Sequence, residues 1–269
     1  MNLREEILDR LNRYGVEAQE RFSQNFLIDQ KARDAIVSSV PLNQCDGIVE
    51  IGPGLGSLTE LLVSTGKEVT AIDFDKDMIR VLKGELHQTN LHIVQGDFLK
   101  QDLQKFHVKH NAYIGNLPYS ISRDILHKVL TDPCYPYFGF MVQKELGDKL
   151  IFEEGDPENN AYSAYFALRG NLTEWMTLHP SSFYPSPKVD SVFLVFTPQD
   201  EGKYADEKVF QFLKTLYTNP KKNLNNNLKR SPYFETIQKN LDQLSFDLSK
   251  RPHQLSIAQI REVLSILDL

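Results

Sequence analysis

Between residues 47 and 116 the chain alternates between short apolar runs that stop at Gly, Asp or Asn and polar stretches with helical spacing. The runs are GIVEIG (47–52), EVTAID (68–73), LHIVQGD (91–97) and NAYIGN (111–116), with LGSLTELLVSTG (55–66) and DKDMIRVLKGELHQ (75–88) between them. Strand, helix, strand at this spacing specifies a parallel α/β sheet, because parallel neighbours need a crossover long enough to hold a helix. A helix over 121–131 and the later strands YFGFMVQKE (137–145) and VDSVFLVFTP (189–198) continue the pattern. After Pro198 the character changes. QDEGKYADEK (199–208) reads as a polar linker, and from Val209 apolar residues recur at helical spacing, as in Phe212, Leu213 and Leu216. The expectation is an α/β domain over 1–198 and a small all-helical domain over 199–269, which a chain of 269 residues can accommodate.

Ligands of open α/β sheets bind beyond the carboxyl ends of the strands, and four polar motifs fall at four successive strand ends here. Glu50-Ile-Gly52-Pro-Gly54-Leu-Gly56 turns from strand to helix; its glycines let backbone amides approach a ligand closely. Asp73, about 20 residues further on, is placed to accept both hydroxyls of a ribose, leaving Asp75 or Asp77 to cap the next helix. Asp97 is placed to accept a hydrogen bond from an adenine amino group. Asn116-Leu117-Pro118-Tyr119 is the most specific of the four. An adenine amine is a poor nucleophile because its lone pair is delocalised into the ring. The Asn116 amide oxygen and the Leu117 carbonyl supply two acceptors that pull the nitrogen towards tetrahedral geometry. Pro118 fixes the local φ, and Tyr119 offers a face on which an extruded base stacks. Each motif also has a plainer reading: a turn, a helix cap, a solvated loop carboxylate, a proline turn. Their agreement in position favours a common cleft in which Gly52, Asp73, Asp97 and Asn116 converge.

Composition narrows the field less. Hydrophobic residues at 41% and charged residues at 25% are ordinary for a globular chain. No stretch approaches the roughly 20 apolar residues that span a bilayer, and the charged, amphipathic start MNLREEILDRLNRYG is unlike a secretory signal. The two cysteines, Cys45 and Cys134, lack the Cys or His neighbours of a zinc site, so no metal is expected and a reduced, cytoplasmic setting is the simplest reading. A net charge of -6 counts against nucleic-acid binding, although a local patch such as Lys221, Lys222, Lys229 and Arg230 can act within an acidic protein.

With these motifs in place, the chain resembles, over nearly its whole length, the ribosomal RNA adenine dimethyltransferases, a family that includes the small-subunit enzymes and the erythromycin-resistance methylases. The resemblance implies a Rossmann-like methyltransferase fold with a mostly parallel seven-stranded sheet, a helical C-terminal domain, and S-adenosyl-L-methionine as cofactor. SQNFLID (Ser23–Asp29) resembles the motif that contacts the methionine part of the cofactor, which points to Gln24, Asn25 and Leu27. Glu50–Gly56 resembles the cofactor loop, with Gly52 and Gly54; Asp73 stands at the ribose position and Asp97 at the adenine position. Asn116–Tyr119 is similar to the catalytic Asn-(Leu/Ile)-Pro-Tyr motif. MVQKE (Met141–Glu145) and FYPSPKVDS (Phe183–Ser191) match two further signatures, and by that resemblance Phe183 covers the face of the target base opposite Tyr119.

Leu117 and KKNLNNNL (221–228) are similar to the small-subunit branch. That branch dimethylates N6 of two adjacent adenines in the 3′-terminal hairpin of small-subunit rRNA, within the immature subunit, and serves in ribosome biogenesis. A monomer is expected. The sequence departs from the family pattern at Asp73, usually Glu, at Ser120, commonly Asn, and in the C-terminal segment, where Asn and Pro stand in place of frequent Arg. Other readings stay open at this point: a large-subunit methylase of the resistance type, an RNA-binding assembly factor with vestigial catalysis, a DNA adenine methylase, and an NAD-dependent dehydrogenase. The last leaves Ser23–Asp29 and Asn116–Tyr119 unexplained.

Overall fold

The apolar runs become neighbouring strands of one sheet. The computed structural model describes residues 2–19, 24–106, 111–132, 137–200 and 202–269, so Ser23 and Cys134 lie outside the described residues. In chain order the elements are α1 (Leu3–Tyr14), β1 (Phe26–Leu27), α2 (Gln30–Ser39), β2 (Gly47–Ile51), α3 (Thr59–Ser64), β3 (Glu68–Asp73), α4 (Lys76–Glu85), β4 (Leu91–Gln95), β5 (Asn111–Asn116), α5 (Ser122–Leu130), β6 (Tyr137–Gln143), α6 (Lys144–Asp148), α7 (Ala161–Arg169), β7 (Gly170–Leu178), β8 (Phe183–Tyr184), β9 (Ser191–Pro198), α8 (Glu207–Leu216), α9 (Leu224–Leu228), α10 (Phe234–Lys239) and α11 (Ile257–Ile266). Seven strands are ordered β4-β3-β2-β5-β6-β9-β7, while β1 and β8 form a separate antiparallel pair. From β4 to β6 every pairing is parallel; β9 runs antiparallel to β6.

Helices cover both faces, as the two-residue period of β5 records. Ala112 and Ile114 join the apolar cluster that contains Ile36 of α2 and Leu62 of α3. Tyr113 faces the other way, towards Ile125, Leu126 and Val129 of α5, and its hydroxyl donates to Asp132 at 2.9 Å. A second cluster joins Ile7 and Leu11 of α1 to Met78 and Val81 of α4. The amphipathic start of the chain is therefore part of the fold.

Two boundaries differ from the sequence expectation. YFGFMVQKE is strand only to Gln143, after which the chain turns into α6. The chain also divides into two compact units, Met1–Gly147 with Thr173–Thr197, and Asp148–Leu172 with Pro198–Leu269, so residues 148–172 leave the expected first domain. The cause is local. Helix α7 packs against α8 and α11, and Arg169 Nε at its end donates to Asp200 Oδ2 at 2.7 Å with both side chains buried. Asp200 also accepts from Tyr204 N at 3.0 Å, and Tyr204 is buried, so the polar stretch after Pro198 is a pinned turn and not a linker. Buried ion pairs leave little sequence trace because each partner alone reads as surface charge. Within this unit Lys221, Lys222, Lys229 and Arg230 are all exposed. No helix among the described residues is long and apolar enough to cross a membrane, and no cluster of three or more His, Cys, Asp or Glu side chains among them is arranged to hold a metal.

Candidate active site

Strand β2 lies between β3 and β5, so the chain leaves it towards one side and later returns on the other. This is the topological switch point at which open α/β sheets bind ligands. Gly52 follows the end of β2, and Asn116 closes β5. Gly52, Gly54 and Gly56 have φ of 68°, 56° and 88°, a region that favours glycine. A side chain at Gly54 would press on the Phe26 ring at 3.1 Å.

The turn is fastened from several directions. Gly52 N donates to Ile72 O at 3.0 Å, and Gly54 N to Asp73 Oδ2 at 3.1 Å. Arg10 of α1 donates to Leu55 O at 2.6 Å and Arg33 of α2 to Ser57 O at 3.3 Å; both arginines also pair with Glu60. Asp73 Oδ1 accepts from Asp75 N at 2.8 Å. Burial pushes the Asp73 carboxyl up to about 6, the backbone N–H groups of Asp75 and Gly54 pulling the other way. Asp75, not Asp77, caps α4: its Oδ1 accepts from Asp77 N at 2.9 Å, and its Oδ2 from Gln24 Nε2 at 2.8 Å. Gln24 thus ties the segment before β1 to the end of β3.

The Asn116 amide nitrogen donates to Asn25 O at 2.7 Å. That bond commits the N–H end of the carboxamide and leaves Oδ1 as the acceptor for a ligand. Leu117 N donates to Met141 O at 3.1 Å, fixing the peptide whose carbonyl is the second acceptor. Tyr119 is partly exposed; its hydroxyl shares a hydrogen bond with Ser191 Oγ at 2.8 Å, and burial holds its pKa above the ordinary tyrosine value.

Two adjoining cavities open at these strand ends. One, of about 80 Å³, is lined by Gln24, Asn25, Leu27, Glu50, Gly52, Gly54, Asp73 and Asn116. The other, of about 290 Å³, is lined by Ile72, Phe74, Asp97, Phe98, Pro118 and Ile121 among others. Gly52 and Pro118 border both. Gly52, Asp73 and Asn116 therefore meet in one chamber, and Asp97 in its neighbour. Asp97 also caps its own turn, accepting from Leu99 N at 3.0 Å. Lys128 of α5 braces that turn by donating to the carbonyls of Leu99 and Gln101.

Phe183 belongs to the core. Its ring is 1% exposed and packs in the apolar cluster with Leu27, Ile36 and Phe193. Leu27 pairs with Phe183 across β1 and β8.

Glu50 opens the glycine-turn motif but received no role of its own from the sequence, although an acid inside the apolar run GIVEI is a signal. It is 1% exposed, lines the smaller cavity, and its Oε2 has no hydrogen-bond partner among the described residues. Burial pushes its carboxyl up to about 8; the Thr59 hydroxyl opposes the shift and the nearby Asp73 adds to it. Arg10, Arg33, Lys128 and Ser191 were also missed as supports, since each meets its partner only through the fold.

A mostly parallel seven-stranded sheet, a glycine turn at the switch point, and an acid closing the next strand define a Rossmann-like fold of the methyltransferase class. Known proteins are more specific. The sequence profile described as ribosomal RNA adenine dimethylase matches residues 15–268. The Ribosomal RNA small subunit methyltransferase A of Mycoplasma mobile is 36% identical over 238 residues, covering 87% of this chain and 92% of that protein. The protein of the same name from Treponema denticola is 31% identical over 264 residues, covering 94% and 90%. A crystal structure of a dimethyladenosine transferase from Plasmodium falciparum shares the fold with a TM-score of 0.75 at 23% identity, covering 90% of this chain and 97% of that one. The chain belongs to the ribosomal RNA adenine dimethylase family and is a methyltransferase.

Proposed function

We propose that this protein uses S-adenosyl-L-methionine to dimethylate N6 of two adjacent adenines in the 3′-terminal hairpin of small-subunit rRNA, acting as a cytoplasmic monomer on the immature subunit and contributing to its biogenesis. The curated relatives named for small-subunit methylation support the choice of subunit. The observation that carries the chemistry is the Asn116 carboxamide, held through its nitrogen by the Asn25 carbonyl with its oxygen left free for an amine.

The donor set fits the cofactor. The smaller chamber combines a carboxyl oxygen without a partner among the described residues, an Asp73 carboxyl held by two backbone N–H groups, and a glycine turn that brings backbone close to a ligand. Glu50 and the Asn25 segment would hold the methionine end, Asp73 the ribose, and Asp97 with Phe74 the adenine. The cofactor supplies an electrophilic methyl on a sulfonium. The protein's part is orientation: Asn116 Oδ1 and the Leu117 carbonyl accept from the two N–H groups of the adenine amine and aim its lone pair. Tyr119 carries the base once it leaves its stack, which costs about a few kcal/mol and least for a base already in a loop. Phe183 is assigned the opposite face of the base, which its ring reaches only by leaving its core packing. No strong base is needed, since the amine becomes acidic only after it is alkylated.

Mass spectrometry of small-subunit rRNA from cells with and without this protein tests the reading. Loss of the two dimethyladenines without the protein is expected. Unchanged small-subunit rRNA with altered large-subunit rRNA would assign the chain to the other branch.

A further inference from the structure

We propose that Ser191 is a positioning residue that locks the Tyr119 ring in the plane on which the target base stacks. This rests on the reading of Tyr119 as the platform. Stacking itself asks only for a ring, and the terminal torsion of a tyrosine is broad. The hydroxyl must therefore have a separate purpose if the ring is to stay in one plane. It meets Ser191 Oγ at 2.8 Å.

The anchor is well fixed. Ser191 is wholly buried and opens β9, where it faces Gln143 of β6. One residue earlier, Asp190 O accepts from Lys144 N at 3.0 Å, which fastens the approach to β9 against the end of β6. The same strand supplies Met141 O, the acceptor for Leu117 N. Both the backbone of the catalytic turn and the far end of the Tyr119 side chain are thus referred to β6. Three sequence signatures, Asn116–Tyr119, Met141–Glu145 and Phe183–Ser191, meet through these bonds. Ser191 gives the last of them a direct contact with the Tyr119 hydroxyl.

The test is a double-mutant cycle on the full chain with S191A, Y119F and the double variant. Four quantities are read: kcat and KM for methyl transfer to immature small subunits, Kd for S-adenosylhomocysteine, and the temperature of thermal unfolding. Each single change should lower kcat by about three- to ten-fold, the worth of one hydrogen bond. The double should be no worse than either single, and S-adenosylhomocysteine should bind as before. S191T, which keeps the hydroxyl, should recover activity. Effects that multiply in the double variant, or an S191A enzyme with wild-type kcat, overturn the proposal. Should S191A fail to fold, Y119F still decides, since wild-type kcat there removes any need for the tether. Tyr119→Ala separates the two levels of the claim: wild-type methylation in that variant removes the platform reading itself.

Discussion

Gly52 and Pro118 divide the strand-end crevice into two chambers of opposite character. In the smaller one most polar groups are fixed before any ligand arrives. Asp73 accepts two backbone N–H groups, Asn116 is held by Asn25, and Gln24 is spent on Asp75. The larger one is walled by Ile72, Phe98 and Ile121, with Phe74 62% exposed at its edge and Asp97 as its carboxylate. Preorganised dipoles contribute direction, whereas apolar walls contribute affinity with little direction. Substitutions in the small chamber should therefore have the larger effects, on geometry or on binding, and those in the large one a smaller loss of binding.

The sharpest test lies at the small chamber's wall. Asn116→Ala removes one of two acceptors for the amine, and methyl transfer should fall by about 10²- to 10³-fold, as for loss of one preorganised polar group in other active sites. S-adenosylhomocysteine affinity should change little, because the Asn116 nitrogen contacts protein. Equal losses in binding and turnover would mean that this wall acts on affinity as the large chamber does.

The two carboxylates set the chambers against each other directly. Asp73→Ala removes the carboxylate that fastens Gly54 and Asp75, and should weaken S-adenosylhomocysteine by about 10- to 100-fold, the worth of hydrogen bonds to a charge. Asp97→Ala, at a partly exposed position with room around it, should cost about ten-fold or less. Calorimetric titration of both variants measures the difference. A reversed order would put the stronger polar anchor in the wide chamber.

The same contrast explains what was legible in the sequence. The parallel sheet, the glycine turn, Asp73 and Asn116–Leu117–Pro118 could be read because each depends on local pattern: apolar runs, positive-φ glycine, a strand-end acid. Gly115 shows the limit. It reads as one more residue of NAYIGN, yet a Cβ there would strike the Ile51 carbonyl oxygen, so its smallness lets β5 close against β2. The core packing of Phe183 was not legible, because a motif aromatic looks the same in sequence whether its ring faces a ligand or a core. The Arg169–Asp200 pair, which draws residues 148–172 into the second unit, joins residues 31 apart that show no shared pattern.

A smaller effect is expected from Phe74→Ala. The ring is mostly exposed without ligand and gains burial only if an aromatic or apolar group enters the large chamber, so the loss should be about five-fold in S-adenosylhomocysteine affinity. Equilibrium titration checks it. No change would leave the large chamber without its apolar role.

The mildest effect concerns Glu50 in the ligand-free protein, and its sign follows from proton counting. Burial lifts the carboxyl from an ordinary value near 4.5 to about 8, so the folded chain keeps a proton that the unfolded chain releases in that interval. The folded state binds more protons there, and stability falls as pH rises from about 4.5 towards 8. Asp73, lifted from 3.8 to about 6, adds a slope of the same sign at the acidic end. Glu50→Gln removes the longer slope while keeping the side chain's shape. The variant should unfold at nearly the wild-type temperature around pH 5 and a few degrees higher at pH 8. Thermal unfolding across that range reads the divergence; a gap that stays constant with pH would mean that Glu50 is already ionised in the folded protein, and that the small chamber offers an ammonium group a ready-made charge in place of a proton it must first displace.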